Sequence, residues 1–299
     1  MENKYEVIIV GGSYAGLSAA MALGRASRKT LIIDSGKPCN RKTPHSHNFI
    51  THDGETPAAI AKKAKDQVLK YPTVQFVNDK AIDVKRIENG FIITTENNNA
   101  YQSKKILFAT GVYDIMPNID GFSECWGISV IHCPYCHGYE VKGQKTAILA
   151  NGDVAYHYSM LLQQWTKDMT ILTNGKAEFN DEQLTKLKNN NISIIESTVA
   201  QLIHKQGQLE CVVFSDGTSH NFPVMYARPE FKQHCDITEK MNLLNDTGFI
   251  NVDEMHHTGA EGLYAAGDCT TPMRSVATAV ASGMKAGAVI NNDMALETF

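Results

Sequence analysis

Short apolar runs recur along the chain, each closed by glycine or an acid. Val7 to Val10 is the first, in "YEVIIVGGSYAGLSAAMALGRA", and reads as a strand buried on both faces of a parallel sheet. The rest of that stretch is a tight glycine turn followed by a helix. A second strand, "KTLIID", ends at Asp34. Two later runs have the same character: "KILFATG" (105–111) ends in Ala-Thr-Gly, and "GLYAAGD" (262–268) ends in Gly267-Asp268. After the last of these, "CTTPMRSVATAVASGMKAGAVI" predicts a long helix of small residues beginning near Arg274–Ser275, suited to close approach of helix and sheet. Residues 145 to 173, "KTAILANGDVAYHYSMLLQQWTKDMTILT", repeat the order strand, turn, helix, strand. "ENNNA" (96–100) predicts a hairpin loop.

Composition narrows the class. The chain has 299 residues, 43% hydrophobic and 20% charged, enough for two ordinary domains. The net charge of -4 and scattered basic residues argue against a nucleic-acid partner. No window reaches the roughly 18 to 20 apolar residues of a membrane span. The start "MENKYEVIIV" passes from a polar segment straight into a strand, without the pattern of a signal peptide, so a cytoplasmic location is expected. The seven cysteines are then not a disulfide scaffold. One pair alone has functional spacing.

The first turn has the order of a dinucleotide site: strand, Gly-rich turn, helix, strand, acid. Asp34 lies 23 residues beyond Gly11, near the expected spacing of about 20. Glycine lets the backbone approach a pyrophosphate, and the helix N-terminus faces that anion with free N–H groups. The Gly-x-Gly-x-x-Gly pattern is Gly11, Ser13, Gly16, with serine in the middle. A Gly-rich turn without ligand is the alternative reading.

Taken in order, these segments resemble the two-domain flavoprotein disulfide reductases. The low-molecular-weight thioredoxin reductases are the group most alike, and the resemblance covers essentially the whole chain. It implies an α/β fold of two doubly wound, Rossmann-like nucleotide-binding domains, one inserted into the other. The FAD domain would be discontinuous, 1–116 and 246–299, with a dithiol domain at 117–245. FAD would be held by Gly11, Gly12, Ser13, Ala15, Gly16, Asp34, Arg41, Asn48, Thr110, Gly111 and Asp268. Arg274, Ser275 and Val276 would lie near the flavin ring. A homodimer is implied as well.

"HCPYCHGYE" (132–140) carries the second piece of chemistry. Its Cys-x-x-Cys-His spacing fits a redox dithiol, half a zinc site or a haem attachment sequence. Zinc would need two further ligands, with no second Cys-x-x-Cys to give them. Covalent haem requires export, and two unreactive buried cysteines also fit the spacing. A free thiol of pKa near 8.5 is only about 3% thiolate at pH 7, so a working dithiol needs activation. Pro134 suits the first turn of a short helix behind Cys133. By resemblance, Cys133 is the thiol that exchanges with external substrate and Cys136 the flavin-proximal one.

Where the thioredoxin reductases carry Asp after the second cysteine, this chain has His137, a side chain matched to proton transfer near neutral pH. "CPYCHGYE" resembles instead the dithiol oxidases that close disulfides in gliotoxin- and holomycin-type metabolites. His137 is then the expected acid/base; an ordinary helix residue is the alternative.

The second turn departs from the reductase pattern. Gly-x-Gly-x-x-Ala becomes Ala150, Gly152, Ala155, and the basic cluster for a 2′-phosphate is replaced by "TNGKAEF" (173–179), where Lys176 alone is basic. NAD(P)H is therefore doubtful as a cofactor, unless Lys176 compensates. The substrate class is a small-molecule dithiol or a thioredoxin-like protein. A reductase running the opposite way, fed by NAD(P)H or by another reductant such as ferredoxin, and a flavin-bound redox sensor remain as alternatives. His45, His47 and His52, in "TPHSHNFITHDG" (43–54), are read as flavin or substrate contacts or as plain loop residues, with a metal site the remaining possibility. No metal is expected. His234 and Cys235 lie either near a substrate channel or in packing, and His256-His257 reads as a surface turn.

Overall fold

The computed structural model describes residues 3–299. Residues 1 and 2, which open the expected first domain, lie outside the described residues. The chain divides into two compact units. The first takes the chain up to Arg41, Thr56–Tyr113 and Phe231–Phe299; the second takes Lys42–Glu55 and Asp114–Glu230. This partition differs from 1–116/246–299 and 117–245 in three places, at 42–55, 114–116 and 231–245. Phe231–Gln233 joins the sheet strand Val112–Asp114, which keeps residues 231 onward with the first unit. The histidine-rich loop 42–55 clusters with the second.

The first unit is built on a seven-stranded sheet. Lys4–Val10 lies at its centre, parallel to Thr30–Asp34 on one side and to Ala100–Phe108 on the other. Leu263–Ala265 adds a further parallel partner to Ala100–Phe108. Val7, Ile8 and Ile9 are wholly buried, as an uninterrupted apolar run requires when both sheet faces are covered, with Cys235, Ile237, Leu243 and Ile250 packed in the same core as Ile8. The strands Gly90–Thr95 and Ala100–Phe108 form a hairpin whose turn carries Asn98 at a positive φ of 61°.

The small residues of the C-terminal helix, Val276–Leu296, serve a helix–helix contact rather than the expected helix–sheet one. A Cβ on Gly283 would overlap the backbone of Ala15, and one on Gly287 would crowd Ala19 and Ala22, all in the helix Tyr14–Arg25. That helix is thus set against its neighbour from its first turn onward.

His256 and His257 do more than form a surface turn. The His257 ring lies between Asp253 (Nδ1, 3.0 Å) and Asp293 on the C-terminal helix (Nε2, 2.8 Å), and Tyr264 donates to the same Asp293 carboxylate at 2.7 Å. The bond to Asp293, foremost, raises the His257 pKa. Its contribution is complete below the ordinary imidazole value and is lost as pH rises through the raised one. Asp293→Asn should therefore cost about 1 kcal/mol at about pH 6, the ring being partly screened by solvent, and less at about pH 9. Equal losses at both pH values in thermal unfolding would contradict this.

The second unit repeats the pattern on a smaller scale. Thr146–Leu149 is the centre of a five-stranded sheet, flanked in parallel by Met169–Leu172 and Val224–Ala227. The three-stranded antiparallel sheet Val199–Lys205, Gln208–Phe214 and Ser219–Asn221 packs beside it through Leu202, Val212 and Phe214. Among the described residues, no helix is long and apolar enough to cross a membrane.

Candidate active site

In the first unit the chain turns at Gly11 with φ +108°, a conformation that favours glycine. A Cβ at Gly11 would collide with the Ala109 carbonyl, and one at Gly16 with the Gly11 carbonyl oxygen. The turn is thus drawn tightly between the ends of two parallel strands. Gly12 donates its N–H to Asp34 Oδ1 at 2.9 Å, and the other carboxylate oxygen accepts from Gly36 at 3.1 Å. Asp34 is held at the lip of the turn by these bonds. Ser13 is the N-cap of the helix Tyr14–Arg25, but its hydroxyl does not cap it. The first-turn amides keep their donors for an anion. Ala15 and Gly16 line that turn and are buried.

Thr110 and Gly111 follow the strand Ala100–Phe108, and Gly111 has φ +62°. Asp268 comes after Gly267 (φ +86°). One of its carboxylate oxygens lies 3.8 Å from the Cys39 sulfur and 3.9 Å from Arg274 Nε. Ser275 caps the C-terminal helix, accepting from Thr278 N–H at 3.1 Å, and Val276 begins it. Arg41 is exposed and donates to the Pro38 carbonyl at 3.1 Å. These residues share one unit, with the sheet's strand ends and two helix starts around them. Asn48 differs: it belongs to the second unit's loop, with φ +59° and its N–H on Asp53.

In the second unit Cys133 and Cys136 form a disulfide with Cα atoms 5.3 Å apart. The one-turn helix Pro134–His137 begins at Pro134, the expected position. Cys133 is its N-cap, and its sulfur accepts from the Cys136 N–H at 3.2 Å. On reduction that donor would favour charge on the Cys133 sulfur. Gly138 follows, where a Cβ would crowd the Pro134 carbonyl and the Trp165 indole. Trp165 meets the exposed Tyr135 ring edge-on at 5.5 Å. Burial pushes the His137 pKa below its ordinary value, against the pull of Glu140 and together with His47. At neutral pH His137 is thus an uncharged base.

Glu140, the last residue of "HCPYCHGYE", lies 3.5 Å from His47 Nε2. The sequence signal for it is weak, a single acid three residues past His137. His45 bonds the Gly54 carbonyl, and His52 bonds the Thr51 carbonyl, so both rings serve the loop itself. Among the described residues, no group of three or more His, Cys, Asp or Glu is arranged to hold a metal ion. Cys235 is buried in the first unit's core, where burial pushes its thiol pKa up, and His234 packs on Tyr113. Packing is the reading that fits Cys235.

The second nucleotide-like turn is closed by its own side chains. Asn151 Oδ1 accepts from Gly152 N–H at 2.9 Å and from Glu178 N–H at 3.0 Å, while its Nδ2 donates to the Lys176 carbonyl at 2.8 Å. The segment 173–179 is thereby tied across the start of the helix Gly152–Leu161. Asp153 stands in that helix's first turn, and Glu178 lies against Gly152. The Gly152 amide at this helix start is taken by the Asn151 oxygen, and Asp153 and Glu178 bring negative charge near it, where a pyrophosphate would need the opposite.

Two strand–turn–helix units, the first Gly-rich, and a Cys-x-x-Cys disulfide on a one-turn helix define a class. The model of the pyridine nucleotide-disulphide oxidoreductase family matches residues 5–283, and the chain belongs to that family. It is an FAD-dependent disulfide oxidoreductase of the thioredoxin reductase-like type. The glycine cradle fits that group: Gly11 and Gly16 leave backbone where a side chain would stand. Among relatives, the thioredoxin reductase sirT of Leptosphaeria maculans is 28% identical over 96% of this chain and 93% of its own. A structure described as thioredoxin reductase TrxB of Bacillus anthracis is 31% identical, with TM-score 0.94 over 99% of this chain and 100% of that one. An oxidoreductase from Agrobacterium tumefaciens is 35% identical, with TM-score 0.91 over 98% and 99%.

Proposed function

We propose that the protein is a dithiol oxidase, closing a disulfide in a small-molecule dithiol at the expense of oxygen. The observation that carries the reading is the contrast between two helix starts: Ser13 leaves the first turn of Tyr14–Arg25 without a side-chain cap, whereas Asn151 takes the Gly152 N–H and ties the start of Gly152–Leu161 to Lys176 and Glu178. An enzyme with one usable nucleotide site needs its electrons from the thiol side. FAD, held by Gly11–Gly16, Asp34, Thr110–Gly111 and Asp268 when bound, supplies the two-electron couple between the cysteine pair and oxygen.

The residues act as follows. His137, uncharged near neutral pH, takes the proton of a substrate thiol. The resulting thiolate attacks the Cys133 sulfur; the Cys133–Cys136 bond breaks and Cys136 leaves as thiolate. The second substrate thiol passes its proton to the Cys136 thiolate and attacks the substrate sulfur of this mixed disulfide, releasing Cys133 as thiolate with the Cys136 N–H beside it. Substrate leaves oxidised by two electrons, and the protein pair is reduced by two. In the net reaction dithiol and oxygen give disulfide and hydrogen peroxide.

A thioredoxin reductase running the other way is the second reading, favoured by the names of sirT and TrxB. A homodimer and a cytoplasmic location are part of either reading. The test is oxygen uptake with dithiothreitol as probe. Uptake matched by peroxide is expected, and His137→Ala should slow it by about 10²-fold or more. An unchanged rate and pH profile in His137→Ala would remove His137 from the mechanism.

A further inference from the structure

Tyr135 sits between the two cysteines, and its side chain is left in water, 60% exposed. The turn that carries it is closed twice. The Cys133–Cys136 bond joins its ends, and Gly138 N–H donates to the Pro134 carbonyl at 2.7 Å. An exposed tyrosine adds nothing to a core, and the exchange steps at Cys133, Cys136 and His137 make no use of it. Single exposed aromatics are common on protein surfaces. This one differs in being braced.

The brace is Trp165. The two rings meet edge-on, their centroids 5.5 Å apart and their planes at 88°. Trp165 is itself anchored. Its N–H donates to the Leu162 carbonyl and its carbonyl accepts from Gly143 N–H, both at 2.8 Å, and the residue packs on the buried cluster that includes Leu162 and Tyr158. The same indole lies against the end of the turn, 2.9 Å from where a Cβ on Gly138 would stand. In an edge-on pair one ring turns its edge to the face of the other. Whichever ring gives the edge, Tyr135 keeps at least one face clear of Trp165. The result is a flat aromatic face, fixed in place on the turn that holds the disulfide.

We propose that Tyr135 is a specificity-determining residue of the dithiol exchange, and that its free face receives a planar unsaturated ring carrying the substrate's two thiols. The proposal rests on the reading of the protein as a dithiol oxidase. The reaction itself brings such a ring there. In the mixed disulfide the substrate is bonded to the Cys133 sulfur, so its carbon skeleton is held beside the one-turn helix that bears Tyr135. A planar ring stacks offset on an aromatic face and gains more than its buried area alone gives. A flexible alkyl carrier gains only the area and loses rotational freedom on being held. Because Trp165 already fixes Tyr135, the protein gives up little side-chain freedom on binding. Stacking is present in the bound substrate as well as during exchange, so it acts through KM.

The experiment compares benzene-1,2-dimethanethiol with butane-1,4-dithiol, which close to cyclic disulfides of the same ring size. kcat/KM for each is measured by oxygen uptake in the FAD-loaded wild type, Tyr135→Leu, Tyr135→Phe and Tyr139→Leu. Tyr135 and Tyr139 are both exposed, so these changes spare the core. Comparing the arene-to-alkane ratio between proteins cancels the intrinsic reactivity of the two reagents. The ratio should fall about three- to tenfold in Tyr135→Leu, chiefly through KM for the arene, and keep its wild-type value in Tyr135→Phe and in the control Tyr139→Leu. A turn merely distorted by the leucine slows both dithiols alike and leaves the ratio in place. An unchanged ratio in Tyr135→Leu, or an equal fall in Tyr139→Leu, overturns the proposal and leaves the oxidase reading standing. If neither dithiol supports oxygen uptake in the wild type, both fall.

Discussion

Serine at either Cys133 or Cys136 reduces dithiol-dependent oxygen uptake to the rate of the uncatalysed reaction. Each cysteine is one half of the bond that substrate thiolate must break, and serine oxygen cannot replace sulfur in that exchange. The two variants should differ from each other in a second property. Cys136→Ser keeps Cys133 as the N-cap thiol with an amide donor still beside it at position 136. It should form a stable mixed disulfide with Ellman's reagent, whereas Cys133→Ser should react slowly. Cys125, Cys235 and Cys269 are buried, and burial pushes all three thiols up, Cys269 to about 11. Cys39 is exposed and Cys211 half-buried, so the comparison belongs in a background with both changed to serine. Equal fast labelling of the two variants would contradict the assignment of Cys133 as the outward thiol.

The second large effect is the failure of nicotinamide nucleotides to bind. A reductase grips the 2′-phosphate with charged hydrogen bonds of roughly 1.5–3 kcal/mol each. Without two of them, affinity falls by about two to four powers of ten. The Asn151 side chain, tied to Gly152, Lys176 and Glu178, adds a capped helix start with carboxylates nearby to that deficit. Calorimetric titration with NADPH and with NADH should show no binding tighter than about millimolar. Micromolar binding of either would mean that Lys176 compensates after all.

Much of the fold is legible in the residues because apolar runs and glycines are local signals. Val7–Val10, Gly11 and Gly16 announce a buried parallel strand and a turn pressed against neighbouring backbone, and the structure has both. Pro134 announces the start of the short helix behind Cys133 for an equally local reason, its fixed φ and missing N–H. What escapes is what depends on distant partners. The small residues of Val276–Leu296 signal close approach without saying to what, and the answer is the first helix. His257 looks like a turn residue until Asp293, 36 positions later, is brought to its ring. Glu140 and His47 are 93 positions apart, and no spacing rule links them. Asn151 falls between the motif positions Ala150 and Gly152 and carries no sequence signal, whereas its three hydrogen bonds tie that turn to the segment 176–178.

The direction of electron flow is the central claim, and anaerobic reduction of the bound flavin tests it most directly. The oxidised FAD-loaded protein is mixed separately with dithiothreitol, NADPH and NADH, and the flavin's visible absorption is followed by stopped flow. The account predicts bleaching by the dithiol alone, loss of that bleaching in Cys133→Ser, and return of colour with peroxide formation when air is admitted. Rapid bleaching by NADPH or NADH, with the dithiol inert, would contradict it and make the protein a reductase.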